Sequence, residues 1–309
     1  MRPHHRGLAA VAALLTLTAC GQSATDPTSA AGDGDALVFA AVPSEESSSL
    51  QQGYEPIIAM LEAETGRTVE FQNATDYAAV IEGMRAGKID IAQFGPFSYV
   101  LAKNQGAKIT PIGAQVDGPD EEPGYQSYGI APAGSPITGL EAFRGKQVCF
   151  VDPSSTSGYL YPTAGLLEAG INPETDVTPV FAGGHDASVL AVASGQCDAG
   201  FAYDTMVDSQ LIEKGSIQPG QIATVWKSET IAGSPVAIAD DLPADVRRTL
   251  TTAFQEKANQ DYLKANGFCS GECTLGDEDS WGYRPVDDAL YDGVREVCDI
   301  TKNTSCTEA

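Results

Sequence analysis

Four consecutive small residues, Ser155-Thr156-Ser157-Gly158, follow an apolar run at 147–151 and open a helical pattern at 158–169. In that position they suit an oxyanion. Unpaired backbone N–H groups and the positive end of the helix dipole converge at a helix start. Three hydroxyls add donors without adding charge, and a glycine lets backbone approach closely. The plainer reading is that Ser154 or Ser155 is a helix N-cap. His185 follows Gly183-Gly184 and precedes a short helical stretch; a lone histidine there can be a cap or a structural residue. Ser155, His185 and Asp204 together also offer the residue types of a nucleophile, a base and an orienter, so a secreted hydrolase is a competing reading. Against it, the chain has no Gly-x-Ser-x-Gly elbow, and Ser155 lies among equivalent hydroxyls. No metal-ligand cluster supports phosphatase chemistry either.

The elements that must hold these residues alternate between short apolar runs and helical spacing. Residues 37–42 predict a strand ending at Pro43, and Tyr54, Ile57, Ile58 and Leu61 a helix that stops at Gly66. A strand at 68–72 follows. Asp76 then caps a helix carrying Val80, Ile81 and Met84 that Gly87 ends, before a strand at 89–92 and a helix from Pro96 to Leu101. This rhythm predicts parallel sheet covered by helices on both faces. A second such unit has extended or strand segments at 128–131, 147–151, 177–181 and 197–202, with helices at 158–169 and 185–193. The chain crosses back within 226–238, through Gly233-Ser234-Pro235, and 242–266 predicts a single helix completing the first unit. Phe94 and Tyr99 fit core packing better than a cleft wall.

Charge and cysteines set the compartment. Arg2 and Arg6, a short apolar run at 8–17 and small residues before Cys20 describe a signal peptide over 1–20, too short to span a membrane as a mature helix. The ending Leu17-Thr18-Ala19-Cys20 is similar to a bacterial lipobox, which implies lipidation at Cys20 and a lipid anchor in the membrane. Residues 21–35 have the composition of a flexible tether. The whole chain carries a formal charge of −24; removing 1–20 takes away two arginines and no acids, leaving −26. Such a surface repels nucleic acid and anionic lipid. It also leaves local dipoles, rather than a Lys and Arg cluster, to hold any anion. The six cysteines after Cys20 suggest up to three disulfides among fifteen connectivities. Neighbouring parallel strands can join Cys149 to Cys197, while Cys269, Cys273, Cys298 and Cys306 staple the C-terminal end. Metal binding by these cysteines is the rival, but His4, His5 and His185 are the only histidines and none neighbours them.

Several pieces occur in a telling order: Val42-Pro43-Ser44-Glu45; Asp76-Tyr77-Ala78 with Gly83-Met84-Arg85; Ile89-Asp90-Ile91-Ala92 with Phe94-Gly95; and Gly124-Tyr125-x-Ser127. Then come Asp152-Pro153-Ser154-Ser155-Thr156-Ser157-Gly158-Tyr159, Gly184-His185-Asp186 and Gly195-Gln196-Cys197-Asp198-Ala199. Together, over about 37–238, they resemble the phosphate/phosphite/phosphonate-binding proteins of ABC transporters. The resemblance implies an α/β, bilobal type II periplasmic-binding-protein fold of two doubly wound lobes joined by two hinge crossings. Lobe 1 spans 36–125 with 233–309, and lobe 2 spans 126–232. It also implies a non-enzymatic receptor, working as a monomer without cofactor or metal, that hands a small phosphorus oxyanion to a permease. Tyr77, Tyr125, Ser155, Thr156, Ser157 and His185 match family positions or motifs that hold the anion, with His185 as an N–H donor. Family members that take aminoethylphosphonate place two acids against its ammonium; here those positions fall on Thr205 and Ser234, which cannot neutralise it. Asp204, one residue earlier, accepts a proton from a P–OH group, rescues the ammonium through a register shift, or is a solvated loop acid. The resulting order of ligands is phosphite or a small alkylphosphonate, then aminoethylphosphonate, then phosphate or another oxyanion. A sensory receptor for a membrane kinase would present the same site.

Overall fold

The computed structural model describes residues 36–306 apart from 272, 274 and 277–279. The signal segment, the tether, Cys20, His4 and His5 lie outside the described residues.

Strand β1 (Leu37–Ala41) is apolar on both faces and almost wholly buried, as a strand covered on both sides must be. Helix α1 (Ser47–Thr65) ends where Gly66, at φ 66°, turns its N–H back to the Glu62 carbonyl at 2.9 Å. Strand β2 (Val69–Gln72) follows, and Asp76 caps α2 (Tyr77–Arg85) by accepting the Ala79 N–H at 2.8 Å. Then come β3 (Ile91–Gln93), α3 (Pro96–Asn104) and β4 (Ile109–Val116). The chain crosses through β5 (Gly124–Tyr125) into β6 (Ser127–Pro132) and β7 (Gln147–Phe150). A π-wound stretch, Thr156–Leu160, runs straight into α4 (Tyr161–Glu168). Next are β8 (Thr178–Phe181), α5 (His185–Ala193), β9 (Ala199–Tyr203), the short α6 (Leu211–Glu213) and β10 (Ile222–Lys227). The return crossing is β11 (Ile231–Ala232), leading to β12 (Pro235–Ala239), α7 (Ala244–Thr252), α8 (Gln260–Ala265), β13 (Gly282–Arg284) and α9 (Asp292–Thr301).

Two sheets result. One has the order β13-β4-β12-β3-β1-β2, the other β10-β6-β9-β7-β8. Strand β1 runs parallel to β2 and β3, whereas β12 is antiparallel to β3 and β4, and β13 to β4. Strand β7 is parallel to β8 and β9, but β6 is antiparallel to β9 and β10. The sheets are therefore mixed, not parallel throughout: the first takes in β12 and β13 after the return crossing, and in the second β6, which enters from the first crossing, runs against its neighbours. The crossings pair with each other, Tyr125 opposite Ile231 and Gly124 opposite Ala232. Phe39, Tyr54, Ile57 and Phe254 fill one face of the first sheet, and Val80, Phe97, Tyr99 and Tyr291 the other. Phe94 and Tyr99 are fully buried there, and the Tyr99 hydroxyl donates to Asp288 at 2.6 Å. Helix α9 packs on α3 of the first lobe and on α4 of the second.

The single helix expected over 242–266 is two helices. A π-wound stretch, Ala253–Lys257, follows α7, and the chain then leaves helical geometry at Ala258 (ψ 66°). The Ala258 carbonyl accepts from Tyr283 N at 3.1 Å, and Asn259 restarts the helix by accepting the Tyr262 N–H at 2.9 Å. Propensity favours continuing; β13, lying alongside, takes the carbonyl instead. Strands β4, β10 and β13 likewise went unforeseen, because their apolar spacing alone is weak.

The disulfides are Cys149–Cys197, Cys269–Cys273 and Cys298–Cys306. The first ties β7 to the turn before β9 across a sequence separation of 48, against 4 for the second. Loop-closure entropy therefore assigns the first a stabilisation of about 4 kcal/mol and the second about half that. Guanidinium unfolding of the Cys149→Ala/Cys197→Ala variant should show about twice the loss seen for Cys269→Ala/Cys273→Ala. Equal losses would mean that chain entropy does not set the ranking.

Candidate functional site

Between the lobes lies a small cavity of about 10 Å³, room for roughly one water molecule. Val42, Ser44, Tyr77 and Gly95 line it from the first lobe, and Ser155, Thr156, Ser157, His185 and Tyr203 from the second. Tyr125 and Ser234 reach it from the crossings. No Lys, Arg, Asp or Glu occurs among the described residues lining it. A larger, more open groove of about 600 Å³ between α4, β10 and α9 is walled by Trp226, Val297 and Ile300 and lacks this convergence of donors.

Four helix beginnings meet here. Tyr77 is the first residue of α2, and Gly95 is the N-cap of α3. Ser155 caps the Thr156–Leu160 stretch, and His185 is the first residue of α5. Each beginning follows the C-terminal end of a strand closely, where ligand crevices of such sheets lie. First-turn N–H groups have no intrahelical acceptor, and each helix end carries a partial positive charge of roughly half an electron. Some of these donors are already used to join the lobes: Phe97 N–H goes to Thr156 Oγ1 at 2.8 Å, and Tyr77 N–H to the Asp152 carboxylate. The Thr156 hydroxyl, accepting from Phe97, keeps its own proton for the cavity. The capping reading of Ser155 holds, its Oγ accepting Gly158 N–H at 3.1 Å, and the residue also lines the cavity. Gly158 is required by packing, since a Cβ there would stand 2.4 Å from the Val151 side chain.

His185 is fully enclosed, and its hydrogen bonds determine its tautomer. Its Nδ1 accepts the Tyr203 N–H at 3.1 Å, and a backbone amide can only donate. In the neutral ring the proton therefore sits on Nε2, which lies 3.4 Å from Ser155 Oγ at the cavity wall. Burial holds the imidazole down at about 3, so it is neutral at physiological pH. This same arrangement disposes of a Ser-His-Asp triad. A ring already protonated at Nε2 cannot take a serine proton, and its Nδ1 faces an amide rather than a carboxylate. Asp204 lies elsewhere, accepting Gln126 N–H and Thr205 N–H at 3.0 Å each. It does not line the cavity; it braces the backbone beside Tyr125. Burial pushes its carboxyl above the usual range.

Of the residues singled out in the sequence, Tyr77, Tyr125, Ser155, Thr156, Ser157 and His185 are brought together and Asp204 is not. Ser234 also lines the cavity, whereas Thr205 Oγ1 receives the Gln210 amide at 3.3 Å. Sequence reasoning missed Ser44, Gly95 and Tyr203 as wall residues. Ser44 is the most informative: its hydroxyl is buried and has no hydrogen-bond partner among the described residues. The signal was available, because Ser44 follows strand β1 as closely as the 155–158 run follows β7.

Two α/β lobes closing over a small polar cavity at the strand ends define a bilobal substrate-binding protein. The family described as the ABC transporter, phosphonate, periplasmic substrate-binding proteins matches residues 39–289, and the chain belongs to it. It is 51% identical to the phosphate-import protein PhnD of Mycolicibacterium smegmatis, over 99% of both chains. It is 30% identical to the phosphonates-binding periplasmic protein of Escherichia coli, over 74% of this chain and 68% of that one. Among solved structures, a binding protein component of an ABC phosphonate transporter from Pseudomonas aeruginosa superposes with a TM-score of 0.75 at 25% identity, covering 89% of each chain. PhnD1 of Prochlorococcus marinus, in complex with methylphosphonate, shares the fold at a TM-score of 0.73 and 18% identity, covering 87% of this chain and 98% of that one. The fold is thus the type II periplasmic-binding-protein fold. The chain is an extracytoplasmic substrate-binding component of an ABC importer of the phosphonate and phosphate class.

The depressed His185 ring has a consequence for stability. Between pH 6.5 and about 3 the unfolded chain takes up a proton that the folded protein refuses. This group's contribution is therefore complete above pH 6.5 and is lost as pH falls across that window, by at most about 1.4 kcal/mol per pH unit. His185→Asn, whose amide oxygen can still receive the Tyr203 N–H, should lose that slope. Urea unfolding at pH 7, 5 and 4 tests this: parallel stability curves for the two proteins would show that the imidazole does not resist protonation.

Proposed function

We propose that this protein captures a compact tetrahedral phosphorus oxyanion outside the cytoplasm and delivers it, unmodified, to an ABC importer, with inorganic phosphate its foremost ligand. The observation that carries this reading is the convergence of four helix beginnings, five Ser/Thr side chains and a neutral Nε2–H donor on one small cavity. Such donors hold a dianion without a counter-charge. The phosphate-import relative, 51% identical along its whole length, favours phosphate. So does Ser44, whose hydroxyl can accept the P–OH of hydrogen phosphate as well as donate. Phosphite or methylphosphonate is the second reading. It is the order expected from the sequence, and it is favoured by a wall without any carboxylate that would demand a P–OH group. Aminoethylphosphonate ranks last, since its ammonium would be buried with nothing charged to pair with.

Calorimetry of the mature domain against phosphate, phosphite, methylphosphonate, aminoethylphosphonate and sulfate tests the reading. One site with phosphate bound most tightly, and recovery of the ligand without product, is expected. Tightest binding of aminoethylphosphonate would overturn it. His185→Ala and Thr156→Ala should each weaken binding about ten- to a hundredfold, the loss of one hydrogen bond to a charged partner. Ser44→Ala should weaken phosphate more than methylphosphonate. An equal effect on both would remove Ser44 as the acceptor for P–OH.

The same proposal includes a lipid anchor at Cys20. Cys20→Ser should move the protein from the membrane fraction to the soluble extracytoplasmic fraction. If it stays with the membrane, something other than that cysteine holds it there.

A further inference from the structure

The lips of the cleft grip each other through groups that do not line the cavity. From the first lobe, the turn after β1 presents Glu45 and Glu46. From the second come Asp186, in the first turn of α5, and Lys214, just after α6. Glu46 N–H donates to Asp186 Oδ2 at 3.1 Å, while the other oxygen of that carboxylate accepts Ala187 N–H at 2.7 Å. Lys214 and Glu45 form an ion pair in which the Glu45 side chain is nearly buried and that of Lys214 is 41% exposed. The backbone closes the same seam, with His185 N–H on the Ser44 carbonyl at 2.7 Å. Gly184 makes room for it: a Cβ there would stand 2.5 Å from Asp186 Oδ1 and 3.4 Å from the Ser44 oxygen.

We propose that Asp186 and the Lys214–Glu45 pair are a latch that sets how long the closed cleft keeps its anion. The partners of each contact sit on different lobes, so opening breaks both contacts. None of Glu45, Glu46, Asp186 and Lys214 lines the cavity. The latch therefore acts on the fraction of molecules in the closed, binding-competent form, and apparent affinity scales with that fraction. Weakening it multiplies the dissociation constant of every ligand by one factor and leaves their ratios alone. A change in the cavity wall alters the ratios instead. Because Lys214 is partly exposed, added salt screens its share of the latch. Asp186 uses both carboxylate oxygens for its two tasks, so Asp186→Asn, with one acceptor oxygen, cannot satisfy both donors at once.

This inference rests on the oxyanion-receptor reading, and the test separates the two. Inorganic phosphate and methylphosphonate are the probes, applied to the mature wild type, Asp186→Asn, Lys214→Met and the double variant. Stopped-flow release and calorimetry are read together with the radius of gyration of each ligand-free protein from solution scattering. The expected result is release about three- to tenfold faster for Asp186→Asn and up to about fivefold faster for Lys214→Met. Association should be little changed, the phosphate-to-methylphosphonate affinity ratio constant, and salt should speed release from every protein that keeps Lys214. Unchanged release in both single variants, or a shifted affinity ratio, overturns the latch. Should the wild type bind neither probe, the oxyanion reading fails, and the latch is judged by scattering alone: variants with the wild-type radius of gyration overturn it, and more expanded ones uphold it.

Discussion

The structure turns on how an anion site is made in a chain with a formal charge of −24. Lysines gathered around a cleft would have supplied a positive field, but they would also bring like-charge repulsion and pair with the surrounding carboxylates. Helix beginnings supply partial charge that is already built into the backbone and cannot titrate away. Each lobe brings two: α2 and α3 from the first, the Thr156–Leu160 stretch and α5 from the second. The four beginnings converge only where the lobes come together, so the proposed site needs both lobes.

That requirement accounts for much of the surrounding architecture. The paired crossings at Tyr125 and Ile231 bring the ends of both sheets to the same place. Gly158 lets a helix start press against Val151, and Gly184 lets the Asp186 carboxylate fold back beside it, where a Cβ would collide. Tyr203, at the end of β9, gives its N–H to His185 and so decides which imidazole nitrogen faces the cavity. Asp204, by holding Gln126 and Thr205, braces the crossing and does not line the cavity. A buried acid near a site is often read as chemistry; here its two hydrogen bonds to backbone show that it shapes a turn.

Much of this was legible in the residues. The strand at β1, the helix ended by Gly66, the Asp76 cap and the helix starting at Pro96 follow from periodicity and from capping chemistry that acts over a few positions. The run at 155–158 declared itself because hydroxyls, glycine and a helix start coincide. Strand β13 could not be read so. It has three residues, and it pairs with β4 more than 160 positions earlier, so its identity depends on a partner that no local pattern contains. For the same reason the helix expected over 242–266 broke at Ala258, whose carbonyl answers to Tyr283.

Sequence alone determined the class of chemistry. A strongly acidic chain, a polar turn ahead of a helix and a single histidine after paired glycines pointed to neutral donors, the means of holding an anion in the function proposed, and the ordered motifs identified the kind of protein. Tertiary structure decided which donors face the cavity, which of them are spent joining the lobes, and that Ser44 belongs to the wall while Asp204 does not. The physical reason is range. Helix starts and caps are set by neighbours three or four positions away, whereas burial and the aim of a hydrogen bond are set by whatever distant segment the fold brings alongside.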